Sequence, residues 1–102
     1  MTGLTTHVLD TVKGTGAAGL RVEVLSPDAQ AVTVTLDDTG RATLRTVLAT
    51  GAYELRFHAG EYCGEVLFYD IIPVRFIVDA PESHYHIPLI LSAYGYSTYR
   101  GG

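Results

Sequence analysis

Apolar and polar residues alternate one for one through much of this chain, and a period of two is satisfied by strands and not by helices. In GLRVEVLSP, Leu20, Val22 and Val24 share one face while Arg21 and Glu23 share the other. AVTVTLDDTG repeats the pattern with Val32, Val34 and Leu36, then stops at an Asp-Asp-Thr-Gly turn. GAYELRFHAG turns Tyr53, Leu55 and Phe57 inward, with Glu54, Arg56 and His58 outward. LTTHVLDT, VRFIVD and HIPLILS add further strands, and a glycine-rich link, Gly14–Gly19, follows the first of them. GEYCGEVLF allows one or two helical turns, interrupted at Gly64. About eight short strands in 102 residues predict a single all-β domain, residues 1–102: a two-sheet β-sandwich with one short helix.

Composition narrows the partners. A net charge of −4, with no basic run, argues against a nucleic-acid backbone. No apolar stretch approaches the roughly 20 residues of a membrane-spanning helix. MTGLTTHVLD has neither the basic nor the apolar region of a secretory signal, and a single cysteine, Cys63, excludes an internal disulfide. These features predict a cytoplasmic protein.

The segment from Tyr85 to Leu91 departs from clean alternation. Tyr85, Ile87, Leu89 and Leu91 would share one face, but Pro88 and Ile90 make the opposite face apolar too. A thin sandwich wets its outer face, so a strand apolar on both sides predicts cover by another subunit. Pro88 has no N–H, so its ladder must break on one side.

Chemistry-bearing residues are few, and each has an ordinary structural explanation. His7 shares a strand face with Thr5 and Leu9, as a half-buried strand histidine would; Arg41 follows a turn, as a solvated strand-start arginine would. His84 and His86, two apart, point the same way, but His-x-His lacks the third ligand a metal needs. His58 reads as an exposed histidine and Cys63 as a packed thiol without a base beside it. The glycines of KGTGAAG lack the Lys-Ser/Thr of a phosphate loop.

Taken together, LTTHVLDTVKGTGAAGL, TGRATL, GAYELRFHAGEYC and HYHIPLILSAYGYSTYRGG resemble, end to end, the hydrolase branch of the transthyretin-related family. Its most specific element is the Tyr-Arg-Gly ending. The resemblance implies an eight-stranded sandwich with one short helix, assembled as a homotetramer with active sites where two dimers meet. It implies hydrolysis of 5-hydroxyisourate, a small-molecule substrate, with no cofactor and no metal; the alternative is a non-catalytic transthyretin-like tetramer that binds a small molecule, or an inactive relative. It implies catalytic roles for His7, Arg41 and His86, substrate binding by Tyr99, Arg100, Gly101 and Gly102, and a less constrained position for His84. Two features depart from the pattern. Gly102 stands where the family usually has serine, which removes a hydroxyl from the site. Ala93 and Gly16 stand where prolines are common, changes expected to alter only turn stiffness, by about 0.4–1 kcal/mol each.

Overall fold

The computed structural model describes residues 3–64 and 68–101. The described residues form nine strands and one short helix: β1 (Gly3–Asp10), β2 (Thr15–Gly16), β3 (Arg21–Leu25), β4 (Val32–Thr35), β5 (Arg41–Arg45), β6 (Gly51–His58), α1 (Ala59–Cys63), β7 (Ile71–Val78), β8 (His84–Leu91) and β9 (Tyr96–Thr98). They form a five-stranded sheet, in which β1 lies between β8 on one side and β2 and β5 on the other, with β9 outside β8. A four-stranded sheet, β4-β3-β6-β7, faces it. The architecture is the expected two-sheet sandwich, with one strand more than expected. The addition, β2, lies in the glycine-rich link and pairs with the end of β1, Leu9 opposite Gly16 and Asp10 opposite Thr15.

The two inner faces meet in an apolar core. Leu20, Val22, Tyr53, Leu55 and Phe57 come from one side, and Leu4, Val8, Tyr85, Ile87 and Leu89 from the other, all buried. Val32 is the exception to the inward pattern: at the end of edge strand β4 it is 50% exposed, because no strand among the described residues lies beyond it. His58, expected to be simply exposed, is half-buried, its Nε2 lying 2.9 Å from Glu23 Oε1 across the β3–β6 pair. The helix is a single short segment that Gly64 ends at φ 69°, a left-handed conformation that glycine adopts without a Cβ penalty. Of the rest of the expected helical stretch, residues 65–67 lie outside the described residues and Phe68 is not helical. No helix among the described residues is long and apolar enough to cross a membrane.

β8 runs parallel to β1 through the middle of its sheet, Gly3 opposite His84 through to Asp10 opposite Leu91. This interior position explains the burial of Pro88 as well as of its inward neighbours. Pairing with the tail breaks where Pro88 predicts. β9 pairs with Leu89–Leu91, stops at Thr98, and resumes in an isolated bridge between Gly101 and His86. Across the gap the Thr98 hydroxyl donates to the Pro88 carbonyl at 2.7 Å. The tail is thereby tied down along β8.

Candidate active site

The strand register gathers polar groups on the outer face of the five-stranded sheet. Thr5 and His7 point outward from β1, between buried Leu4, Thr6 and Val8. On one side β5 sets Thr43 opposite Thr5 and Arg41 opposite His7; on the other, β8 sets His86 opposite Thr5. Three segments distant in sequence therefore deliver His7, Arg41 and His86 to one face. The two histidines stand one outward position apart on neighbouring strands, roughly 6–7 Å along the strand direction.

An open groove of about 290 Å³ lies over this face, lined by Thr5, Thr6, Asp37, Arg41, Ala42, Thr43 and His86. His7 lies beside it and is turned toward the preceding turn, its Nε2 3.1 Å from the Thr39 carbonyl. A carbonyl oxygen only accepts, so Nε2 carries the proton in that contact and Nδ1 is the nitrogen left for chemistry. The turn itself is held by Asp37, whose Oδ1 accepts from the Thr39 amide and hydroxyl and from the Arg41 amide. These bonds hold the Asp37 carboxyl below its usual range, led by the Thr39 hydroxyl. They also fix the point at which Arg41 enters β5.

His86 is the most tightly placed of the site groups. Its Nδ1 lies 2.8 Å from the Thr5 hydroxyl, and the same hydroxyl lies 3.0 Å from Nε2 of His84. Behind the ring, the Gly101 amide donates to the His86 carbonyl at 2.8 Å. A Cβ on Gly101 would stand 2.6 Å from His86 Cδ2, so only glycine lets the tail lie against this imidazole. The His86 pKa is pushed down, first by burial and then by His7, His84 and Arg41 nearby. The ring is thus a neutral imidazole facing a groove, with a guanidinium beside it: the parts of a site that activates water and stabilises developing negative charge.

Arg100 stacks its guanidinium on the Tyr85 ring, 4.0 Å from the ring centroid, with Nη2 3.5 Å from the His84 carbonyl. Tyr99 is exposed, and Gly102 lies outside the described residues. Among the described residues no three His, Cys, Asp or Glu side chains converge to hold a metal ion. The sequence reading gave Thr5 no role beyond sharing a strand face with His7, and it set His84 aside. Its one usable signal was the shared period of Thr5 and His7, because the register that brings β8 beside β1 has no local signature.

A five-stranded and a four-stranded sheet packed face to face, with a histidine-bearing outer face on the first, define a transthyretin-like sandwich. The model of the HIUase/Transthyretin family matches residues 4–101, and the chain belongs to that family. It is 44% identical to the 5-hydroxyisourate hydrolase 2 of Rhizobium meliloti (strain 1021), the match covering 96% of this chain and 94% of that protein. The solved 5-hydroxyisourate hydrolase of Klebsiella pneumoniae superimposes with a TM-score of 0.86 at 27% identity, over 100% of both chains. An (S)-allantoin synthase structure superimposes with a TM-score of 0.84 at 37% identity; this chain spans 43% of that chain's length.

Proposed function

We propose that this chain hydrolyses 5-hydroxyisourate to 2-oxo-4-hydroxy-4-carboxy-5-ureidoimidazoline, a step of urate degradation. The observation that carries the reading is the placement of neutral His86 and Arg41 in one groove with His7 at its edge, in a chain that resembles named hydrolases over nearly its whole length. Water attacks the ring carbonyl and a C–O bond forms. The ring C–N bond then breaks, and the leaving nitrogen takes a proton. His86 and His7 supply the acid–base groups, and Arg41 orients them or polarises the carbonyl. Tyr99, Arg100, Gly101 and Gly102 are assigned to substrate binding, Arg100 by leaving the Tyr85 ring for a flat, carbonyl-bearing substrate. The step as assigned uses no cofactor or metal. A homotetramer with its sites at the dimer–dimer interface would cover the open groove, and cytoplasmic residence accords with the lone cysteine.

The test is direct. 5-Hydroxyisourate generated fresh with urate oxidase is followed by its ultraviolet absorbance, with chelator present, for the wild type and for His7→Ala and His86→Ala. The expected outcome is chelator-insensitive acceleration by the wild type, reduced about 10²–10⁴-fold in each variant. A folded wild type that leaves the decay rate unchanged overturns the proposal. Size-exclusion chromatography with light scattering reads the assembly, and a monomer at working concentration would count against the tetramer.

A further inference from the structure

Resting on that hydrolase reading, we infer that Thr5 and His84 are positioning residues of the same site: a hydrogen-bonded chain, His86–Thr5–His84, that moves positive charge from the groove imidazole to an exposed one during turnover. The Thr5 hydroxyl lies between the two rings, 2.8 Å from His86 Nδ1 and 3.0 Å from His84 Nε2. It has one proton to donate and lone pairs to accept with, so a chain through it has a direction. With His86 protonated on Nδ1, Thr5 accepts from His86 and donates to His84. That direction leaves the His86 Nε2 lone pair in the groove.

The reaction uses the chain in both directions. As water attacks, its proton passes to His86 Nε2. The Nδ1 proton moves to Thr5, and the Thr5 proton moves to His84 Nε2. His84, exposed to solvent, then carries the charge. When the ring C–N bond breaks, His86 gives its Nε2 proton to the leaving nitrogen. The chain runs back, with His84 Nε2–H to Thr5 and Thr5 to His86 Nδ1. Every proton is accounted for, and the starting tautomers are restored.

The surroundings explain why charge should leave His86. It faces His7 on β1 and Arg41 on β5, with a single carboxylate, Asp37, on the groove wall. Its own strand adds His84, while the Arg100 guanidinium of the tail is turned onto the Tyr85 ring. Farther along β5, Arg45 is matched to Asp28 and offers no counter-charge. A charge held on half-buried His86 therefore meets three cationic or titratable neighbours and little compensation. The same charge on His84 is hydrated.

Thr5→Val removes the hydroxyl at nearly constant shape, Thr5→Ser keeps it, and His84→Ala removes the outer end of the chain. The expected result is a kcat about 10–100-fold lower in Thr5→Val and His84→Ala, at or below the low end of what a positioned proton-transfer group contributes, with Thr5→Ser near wild type. The pH profile separates relay from packing. A proton on His84 blocks its acceptor nitrogen, so acid should slow the wild type by a step that Thr5→Val and His84→Ala do not show. Nitrogen-15 imidazole spectra of the unliganded protein give a reading that needs no substrate. Protonation of His84 should turn His86 Nδ1 from donor to acceptor in the wild type and Thr5→Ser, and not in Thr5→Val. A His86 spectrum indifferent to His84 titration overturns the chain, as does a wild-type rate and profile in Thr5→Val. Absence of wild-type turnover would fail the hydrolase reading instead, and the spectra would still decide the chain.

Discussion

Gly101 shows how much one missing atom can control. Its amide holds the His86 carbonyl, and its Cα lies against the edge of the imidazole where a Cβ would come within 2.6 Å of Cδ2. The strain in Gly101→Ala would be relieved by rotation of the His86 ring or retreat of the tail, and either breaks the 2.8 Å contact with Thr5. A shift of about 1 Å in a reacting group is enough to cost about 10²-fold in rate. Gly101→Ala should therefore lower kcat by about that factor while leaving the unfolding transition close to wild type, since the tail bridge is peripheral to the core. Steady-state kinetics beside a urea titration checks both halves. Unchanged kcat would mean that the ring has room the structure does not show. The Tyr-Arg-Gly ending was legible in the sequence as a resemblance; its physical reason, a glycine required against a histidine from another strand, was not.

Among the elements, β2 and the Asp37–Gly40 turn form a support for the site. Gly16 lies so close to this turn that a Cβ would overlap the Thr39 carbonyl, the group that His7 Nε2 donates to. Gly40, at φ 78°, donates its amide to the Asp37 carbonyl and accepts from the Val8 amide. The expectation that Gly16 alters only turn stiffness is thus too small, because the close approach makes the position steric. Gly16→Ala should destabilise by about 1–3 kcal/mol, as overpacking of a tight contact does. It should also lower activity, since the displaced turn carries the His7 acceptor and the entry of Arg41. Denaturant midpoint and kcat should fall together, and a stable but inactive variant would show that the turn serves only the site. The long strands were readable because Tyr53, Leu55 and Phe57 repeat at two-residue spacing. β2 was not, because two residues carry no period. The parallel pairing of β1 with β8 was equally hidden: periodicity tells which face a residue occupies, never which strand lies beside it. The Thr5, His84 and His86 contacts depend entirely on that pairing.

Over the whole molecule, the two outer faces handle charge in opposite ways. The four-stranded sheet pairs its charges: Arg21 with Glu61, Arg56 and Arg75 with Glu54, and His58 with Glu23. The five-stranded sheet gathers His7, His84, His86 and Arg41 on one face, so acid adds like charges there. His86 feels this most. Burial and the three cationic or titratable neighbours hold its folded pKa below the ordinary 6.5. Between that lowered value and 6.5 the unfolded chain binds more protons than the folded one, and stability falls as pH falls through the window. The contribution is present in full above 6.5 and is lost toward the folded pKa. Asp28, Asp37 and Glu61 are also held down by their partners, but they release their stabilisation only as pH falls through the carboxylate range and below it. Mild acid therefore isolates the histidine face. Urea unfolding of the wild type at pH 7.5 and at pH values stepped down below 6.5 should show a falling midpoint, and His86→Gln, which cannot titrate, should show a shallower fall. Equal slopes would mean that His86 is as well solvated for protonation in the folded protein as in the unfolded chain. In that case the groove would provide no electrostatic reason for charge to leave it.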